Sequence, residues 1–414
     1  MKNQVIKKSV IAEVAFVRIM VVVLQLVFLK YYTHYTDFYE LGIFYFLLTI
    51  SYSLNAFLLV PLDYFQQSQL YNLKEKGLSL KSFFKINVWV LKMVLSGLLL
   101  SLIVSYFLKP DYCLIITLVI IYAISSYLVT LIRGFINNLE MRRTAIYCLA
   151  LEYLLKIVYY FIYIHFFKSS AVVILLSLLS ASLTAFVVLF YLVSRLKEYK
   201  LTTVKKFESK DVLAICYPIS ISAFLNWIQL QSYTLLLVPL GLTEVVGIYA
   251  TVANVGSGGM NAYSTIFSQL FIPNLYKTTG SFIKKYLLYG LISILIVLIV
   301  SFFFSKMIVG LLTKQDFIKY SLIIMYGILT EGGNLLIAAL TVYLSIHNLT
   351  KYSIKVASAG IAAFFVSFFV LYLTHSIGVF TIGLPMIISQ FLICTGLTLV
   401  VYKDQNEVIW QVTK

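Results

Sequence analysis

The chain has 414 residues, of which 61% are hydrophobic and only 12% are charged, and its mean hydropathy is +0.95. Soluble domains carry about 25% charged residues, so this composition excludes an ordinary water-soluble protein and indicates one that resides in a lipid bilayer. The formal net charge is +16. The Lys and Arg residues lie in short segments between apolar runs, however, and this excludes an arginine-rich nucleic-acid-binding domain.

Twelve apolar runs are long enough to cross a membrane, because a transmembrane helix needs about 20 mostly apolar residues. The first six lie near residues 10–29, 41–60, 86–108, 113–132, 145–167 and 171–193. The second six lie near residues 213–237, 245–272, 286–305, 321–344, 353–373 and 380–402. The runs are continuous rather than alternating, so they predict helices and an all-α polytopic membrane protein.

Positive charge lies mostly on one side of this predicted topology. With a cytoplasmic N-terminus, the cytoplasmic segments hold 22 Lys and Arg residues and the outer loops hold 6. The positive-inside rule therefore predicts that both termini are cytoplasmic. The charged segment 194–211 separates the two sets of spans and predicts two domains, residues 1–200 and 201–414, each a six-helix bundle.

Short motifs recur in the two halves. Segments 36–44 and 243–249 both place an acidic residue before Gly-Ile-aromatic at the start of spans two and eight. Further matches, at offsets of about 205–212 residues, pair Pro61 with Pro273 at the ends of these spans and Asn138 with Asn348. The pattern predicts an internal duplication with two pseudo-symmetric bundles, an organisation found in many transporters.

Seven ionisable side chains lie inside the predicted spans, where a charge at the helix centre costs about 2.5–3.5 kcal/mol and usually faces a cavity or a partner. The cations are Arg18, Lys92, Lys156 and Lys355, and the acids are Glu13, Glu152 and Glu331. The excess of cations predicts a cleft that binds an anionic headgroup. The acids are the candidates for coupling to an ion. Glu152 and Lys156 are spaced i, i+4, so a neutralised structural pair is an open alternative.

Uncharged polar residues extend these faces. The candidates that line a polar cavity are Gln25, Asn226, Gln229, Asn254, Asn261 and Asn334. Glu331 and Asn334 share a helix face, and Tyr159 and Tyr163 continue the face of Lys156. Hydrogen bonding between helices is the alternative explanation for each of them.

The two sets of six spans, the motifs of spans two and eight, the Pro residues that end them and the basic loop 133–143 resemble one known family. It is the polysaccharide-transporter branch of the multidrug/oligosaccharidyl-lipid/polysaccharide exporter superfamily, and the chain looks most like an O-antigen (Wzx-type) flippase. The resemblance implies two six-helix bundles in a V around a central cavity, working by alternating access. It also implies translocation of an undecaprenyl-pyrophosphate-linked oligosaccharide across the bacterial inner membrane for lipopolysaccharide biosynthesis. The implied partners are membrane lipid, a polysaccharide polymerase and a chain-length regulator.

Other functions stay open. A flippase for a teichoic-acid or peptidoglycan precursor and a cation-coupled multidrug exporter are expected to share the same topology. A membrane-bound polymerase or ligase is disfavoured because the longest outer loop, 306–320, has about fifteen residues and no catalytic constellation occurs. The four Cys and four His residues are scattered without ligand spacing. The sequence therefore predicts no catalytic residue, metal or cofactor.

Overall fold

The computed structural model describes residues 8–76, 79–108, 112–139, 141–201, 203, 207–278, 280–347 and 349–412. Its long helices follow the predicted spans in order and are numbered α1 to α12 here. They are α1 (Lys8–Tyr35), α2 (Phe38–Leu54, continued as Val60–Glu75), α3 (Lys81–Leu108), α4 (Tyr112–Asn138), α5 (Arg142–Phe166), α6 (Ala171–Ser194), α7 (Ser209–Leu237), α8 (Thr243–Lys277), α9 (Ile283–Leu312), α10 (Ile324–Ile346), α11 (Thr350–Leu373) and α12 (Leu384–Val412). A short 3-10 helix, Gln315–Ile323, leads into α10.

Among these residues, nine helices are long and apolar enough to cross a membrane, and no β-strand occurs. The fold is therefore that of an all-α polytopic membrane protein, as the sequence predicted.

Several helices extend beyond the ends of the predicted spans. Pro61 and Pro273 were expected to end their spans, but α2 continues to Glu75 and α8 to Lys277. In α2 a π-helical turn, Asn55–Leu59, directly precedes Pro61. A proline ring clashes with the carbonyl of the preceding turn in a regular α-helix, and the wider π turn relieves that clash.

The basic segment 133–143, expected to be a loop, is largely helical. α4 runs on to Asn138, and α5 begins at Arg142. Arg133 therefore lies inside α4. The apolar run that predicted the fourth span ends at the first charged residue, Arg133. The backbone hydrogen bonds of α4 continue past this residue, so the helix is longer than the predicted span.

The chain forms two compact units. Unit 1 comprises Met1–Asp37 and Phe46–Phe224, and unit 2 comprises Phe38–Tyr45 and Leu225–Lys414. The units divide inside α7. The division into domains at residues 1–200 and 201–414 stays a prediction. The first turns of α2 belong to unit 2. The arrangement as two six-helix bundles around a cavity stays a prediction.

An aromatic and aliphatic core holds the helices of unit 1 together. Phe65 of α2, Phe83 of α3 and Phe135 of α4 are buried in it, together with Leu189 of α6. The rings of Phe83 and Phe135 stack with centroids 5.4 Å apart. Leu62 and Phe65, on the part of α2 that extends past Pro61, belong to this core, and Gln66 beside them is also buried.

Glycines bring the helices of unit 2 into backbone contact. Gly256 of α8 lies against the carbonyl oxygen of Ile324, and Gly327 of α10 lies against that of Ala253. Gly42 and Gly247, the glycines of the recurring motif, meet in the same way. Gly42 lies on the backbone of Thr243, and Gly247 lies on the backbone of Phe38. Small residues permit this close approach, which is the usual means of helix association in lipid.

We expect Gly256→Ala to lower the stability of unit 2, because a Cβ atom there would overlap the Ile324 carbonyl, and backbone has no rotamer to move to. Overpacking of this kind costs about 1–3 kcal/mol. Gly258→Ala is the matched control on the same helix, since a Cβ there meets no atom within 4 Å. The measurement is the thermal unfolding midpoint of the purified protein in detergent, and equal midpoints for the two variants would contradict the expectation.

Candidate functional site

Three charged side chains meet in unit 1. Glu152 Oε1 lies 2.7 Å from Lys156 Nζ, and Glu152 Oε2 lies 2.9 Å from Arg133 Nη1. Glu152 and Lys156 lie one turn apart on α5, and Arg133 reaches them from α4. The spacing of Glu152 and Lys156 left a neutralised pair open as an alternative, and the structure contains that pair. These three residues are called the charge cluster below, and with two cations and one acid its net charge is +1.

The two cations of the charge cluster differ in accessibility. Lys156 is 7% exposed, and its ammonium lies 4.0 Å from the centre of the Tyr153 ring. The side chain of Arg133 is 23% exposed, and Glu152 is its one ion-pair partner among the described residues. The sequence nominated Lys156 to contact a substrate. In the structure Lys156 is buried. The more accessible positive charge is that of Arg133, a residue that the sequence analysis placed in a loop.

The polar face that follows Lys156 holds two helices together. Tyr159 Oη lies 2.9 Å from Thr184 Oγ1, and Tyr163 Oη lies 2.6 Å from Ser180 Oγ. Both partners belong to α6. The sequence suggested that these tyrosines line a water-filled cavity, but their hydroxyls are used in contacts between α5 and α6. The alternative of helix-to-helix hydrogen bonding therefore describes this stripe.

The other predicted charges of unit 1 lie outside the charge cluster. Glu13 pairs with Arg143 at 2.7 Å and accepts a hydrogen bond from the Tyr147 hydroxyl at 3.0 Å. Lys92 is exposed on α3 and forms no ion pair within the described ranges. Arg18 and the cavity candidate Gln25 are half-buried on α1. The structure thus gives Glu13 a cationic partner near the start of α5.

Unit 2 contains a carboxylate held by amides. Asn334 Nδ2 donates to Glu331 Oε2 at 3.2 Å, and Gln390 Nε2 of α12 donates to Asn334 Oδ1 at 2.9 Å. The shared face of Glu331 and Asn334 was predicted and is confirmed. Gln390 was missed, although a glutamine inside an apolar span was a usable signal. Gly333 makes room for it, because the Gln390 carboxamide occupies the place of a Cβ there.

Glu331 is half-buried and forms no ion pair with any Lys, Arg or His in the part of the chain that the structure describes. Lys355, the predicted cation of unit 2, is exposed on α11 and lies 6.0 Å from the Tyr352 ring. An acid inside a membrane helix without a cationic partner is a candidate for binding a proton or a small cation.

The predicted polar lining of unit 2 divides by exposure. Asn226, Asn254 and Asn261 are exposed, and Asn261 accepts a hydrogen bond from Thr265 at 3.4 Å. Gln229 is buried, and its Nε2 has no hydrogen-bond partner among the described residues. Exposed amides on membrane helices suit a polar passage, and that role stays a prediction.

Comparison with known protein families and with curated proteins finds no match. Solved structures do match. An inward-facing multidrug resistance MATE family transporter of the MOP superfamily is similar at a TM-score of 0.63 and 14% identity, over 94% of this chain and 98% of that one. The lipid II flippase MurJ, in an inward closed conformation, also gives 0.63 and 14%, over 94% and 86%. An outward-facing MATE transporter gives 0.58 and 10%, over 98% and 96%.

The chain has the MATE and MurJ fold. At 10–14% identity the likeness shows the fold alone, so any conclusion about function depends on this chain's own residues. The residues that bear on it are the charge cluster of unit 1 and the carboxylate of unit 2.

Proposed function

We propose that this protein is a transporter of the MOP type that moves a lipid-linked oligosaccharide across the bacterial inner membrane by alternating access. The proposed substrate is an undecaprenyl-pyrophosphate-linked O-antigen repeat unit. The observation that carries the proposal is the charge cluster, in which Lys156 already neutralises Glu152 and the Arg133 guanidinium is an additional, partly exposed cation. The similarity of this chain's fold to that of the lipid II flippase MurJ agrees with a lipid-linked substrate.

A pyrophosphate headgroup matches the chemistry of Arg133. A guanidinium presents several N–H donors in a planar fork that binds phosphate oxygens in pairs. One Arg133 nitrogen is bonded to Glu152, so the other donors remain for a ligand. The low dielectric of a membrane helix strengthens this attraction relative to water. The exposed Lys92 and half-buried Arg18 of the same unit are proposed to add to the positive potential along the path.

The acid of unit 2 is proposed to couple transport to an ion. Glu331 is bonded to the Asn334 amide and to no cation of the described chain. A carboxylate in that setting can exchange a proton or sodium ion between the two sides of the membrane as the transporter changes conformation. Glu152 is excluded from this role because it forms ion pairs with both Lys156 and Arg133, and Glu13 is bound to Arg143.

We expect Glu331→Gln to reduce transport by about tenfold, because it removes the ionisable group and keeps the shape and the amide contacts. That reduction corresponds to about 1.4 kcal/mol. Glu13→Gln is the control, since Glu13 lies in an ion pair whose Arg143 side chain is 52% exposed, and it is expected to transport near the wild-type rate. The measurement is surface polysaccharide in a deletion strain complemented with each variant at equal protein level. Similar activities for the two variants would remove Glu331 from the coupling role.

The proposed function is tested by reconstitution. Purified protein in liposomes receives undecaprenyl-pyrophosphate oligosaccharide in one leaflet, and its arrival in the other leaflet is followed with an impermeant glycosidase. Parallel vesicles contain lipid II or the cationic dye ethidium. Translocation of the oligosaccharide supports the proposal.

A cation-coupled multidrug exporter is the second candidate. It is favoured by Glu331, which has no ion pair among the described residues, and by the MATE-like fold. Ethidium transport without movement of the oligosaccharide would replace the first proposal with this one. Movement of lipid II alone would assign the protein to the peptidoglycan precursor instead.

A further inference from the structure

Asp63, another acid without an ion pair among the described residues, lies in unit 1 on the part of α2 that continues past Pro61. Asp63 Oδ2 accepts a hydrogen bond from Gln67 Nε2 at 2.7 Å. Its other oxygen, Oδ1, is buried and has no hydrogen-bond partner among the described residues. No Lys, Arg or His of those ranges forms an ion pair with it. The neighbouring Leu62 and Phe65 side chains are each 2% exposed and belong to the apolar core.

Three polar side chains of the same core, Gln66, Asn87 and Tyr127, form hydrogen bonds to one another. Gln66 and Asn87 form a reciprocal amide pair, with N–O distances of 2.9 and 3.1 Å. The Tyr127 hydroxyl donates its one proton to Asn87 Oδ1 at 2.6 Å. It therefore has no proton to offer Asp63. These three side chains bond to one another, and Asp63 Oδ1 has no donor among the described residues.

A negative charge at Asp63 would be poorly compensated. A buried charge is tolerated when it is paired with an opposite charge or receives several hydrogen bonds. The described residues supply Asp63 with one hydrogen bond and no cation. Adding a proton to Oδ1 removes the charge and creates no other ion. We propose that Asp63 is a proton-binding site of unit 1, whose carboxyl takes up and releases one proton.

The site is connected to the charge cluster through α4. Gln67, the donor to Asp63, accepts a hydrogen bond from Asn138 at 3.3 Å and lies against Gly134, where a Cβ atom would come within 2.7 Å of its Nε2. Gly134 adjoins Arg133 in sequence. When Asp63 loses its proton, its negative charge attracts the Gln67 amide more strongly. Because Gln67 contacts α4, this change is transmitted to the helix that carries Arg133. This consequence for transport rests on the proposed function, whereas proton binding does not.

The first test is the pH dependence of stability, measured on the full-length protein in detergent from pH 5 to pH 8.5. Asp63→Asn keeps the shape of the protonated carboxyl and cannot ionise. Wild-type protein must accommodate a half-buried, poorly compensated charge as the pH rises, so it is expected to lose stability relative to Asp63→Asn, and the difference in melting midpoint grows with pH. Asp211→Asn, at an exposed acid of α7, is expected to follow the wild type at every pH. A difference for Asp63→Asn that does not change with pH would overturn the proposal.

A second test needs no variant of Asp63. Dicyclohexylcarbodiimide reacts with protonated carboxyls in apolar surroundings, and mass spectrometry locates the product. We expect labelling of Asp63 that decreases as the pH rises, with none at Asp211. An unlabelled Asp63 at pH 6 would overturn the proposal even if Asp63→Asn fails to fold. Neither readout involves transport, so a protein that moves no oligosaccharide would refute the proposed function and leave this result standing.

Discussion

Replacement of Glu152 by Gln is expected to cost the folded protein about 3–5 kcal/mol, because it removes the acid that neutralises the buried Lys156. Lys156 is 7% exposed, and its ammonium lies 2.7 Å from the Glu152 carboxylate. Without that carboxylate it remains enclosed, and Arg133 adds a second positive charge beside it. The loss is measured by thermal and denaturant unfolding of the purified protein.

The double variant Glu152→Gln/Lys156→Met distinguishes the effect of an unpaired Lys156 charge from the net contribution of the ion pair to stability. Replacing a whole buried ion pair with uncharged side chains of similar size is often neutral, so most of the lost stability is expected to return. Glu13→Gln breaks a more exposed pair and is expected to cost about 0–1 kcal/mol. A Glu152→Gln protein as stable as the wild type would show that the pair does not compensate a buried charge.

Arg133→Gln is expected to have the largest effect on transport. Hydrogen bonds to a charged group contribute about 1.5–3 kcal/mol, which corresponds to a loss of about ten- to a hundredfold in transport of a pyrophosphate-linked substrate. The fold is expected to survive, because Lys156 still neutralises Glu152 at 2.7 Å. Retained stability with lost transport distinguishes a ligand contact from a structural one. The assay is oligosaccharide translocation in liposomes, alongside the unfolding midpoint.

Arg143→Gln is the matched control for Arg133. Both are arginines that pair with a glutamate of unit 1, but the Arg143 side chain is 52% exposed and lies outside the charge cluster. We expect it to transport within about twofold of the wild type, since exposed ion pairs contribute little. Equal losses for both arginines would indicate a general effect of positive charge, and full activity of Arg133→Gln would exclude the charge cluster as the headgroup site.

Glu331 and Asp63, the two acids proposed to bind a proton or a small cation, were not equally visible in the sequence. Glu331 was identified because it interrupts an apolar run and shares a face with Asn334 three residues on. Asp63 follows Pro61, where the apolar run ends, and was therefore counted with a cytoplasmic segment. Only the continuation of α2 through its π-helical turn places Asp63 beside the buried Phe65.

The features that the sequence determined by itself depend on local spacing and on the bilayer. Lipid requires long apolar helices, so twelve apolar runs predicted the order of α1 to α12 without any knowledge of contacts. The contacts of Glu152 with Lys156 and of Glu331 with Asn334 were equally accessible, because residues three or four apart in a helix are neighbours.

The tertiary structure decided which residues that are distant in sequence contact one another. Arg133 reaches Glu152 across 19 positions, Gln390 reaches Asn334 across 56, and Asn87 reaches Gln66 across 21. No periodicity relates such positions, since their separation depends on how whole helices pack. Glycine contacts between backbones and cores such as that around Phe135 determine this packing, and they become visible only when the helices are assembled.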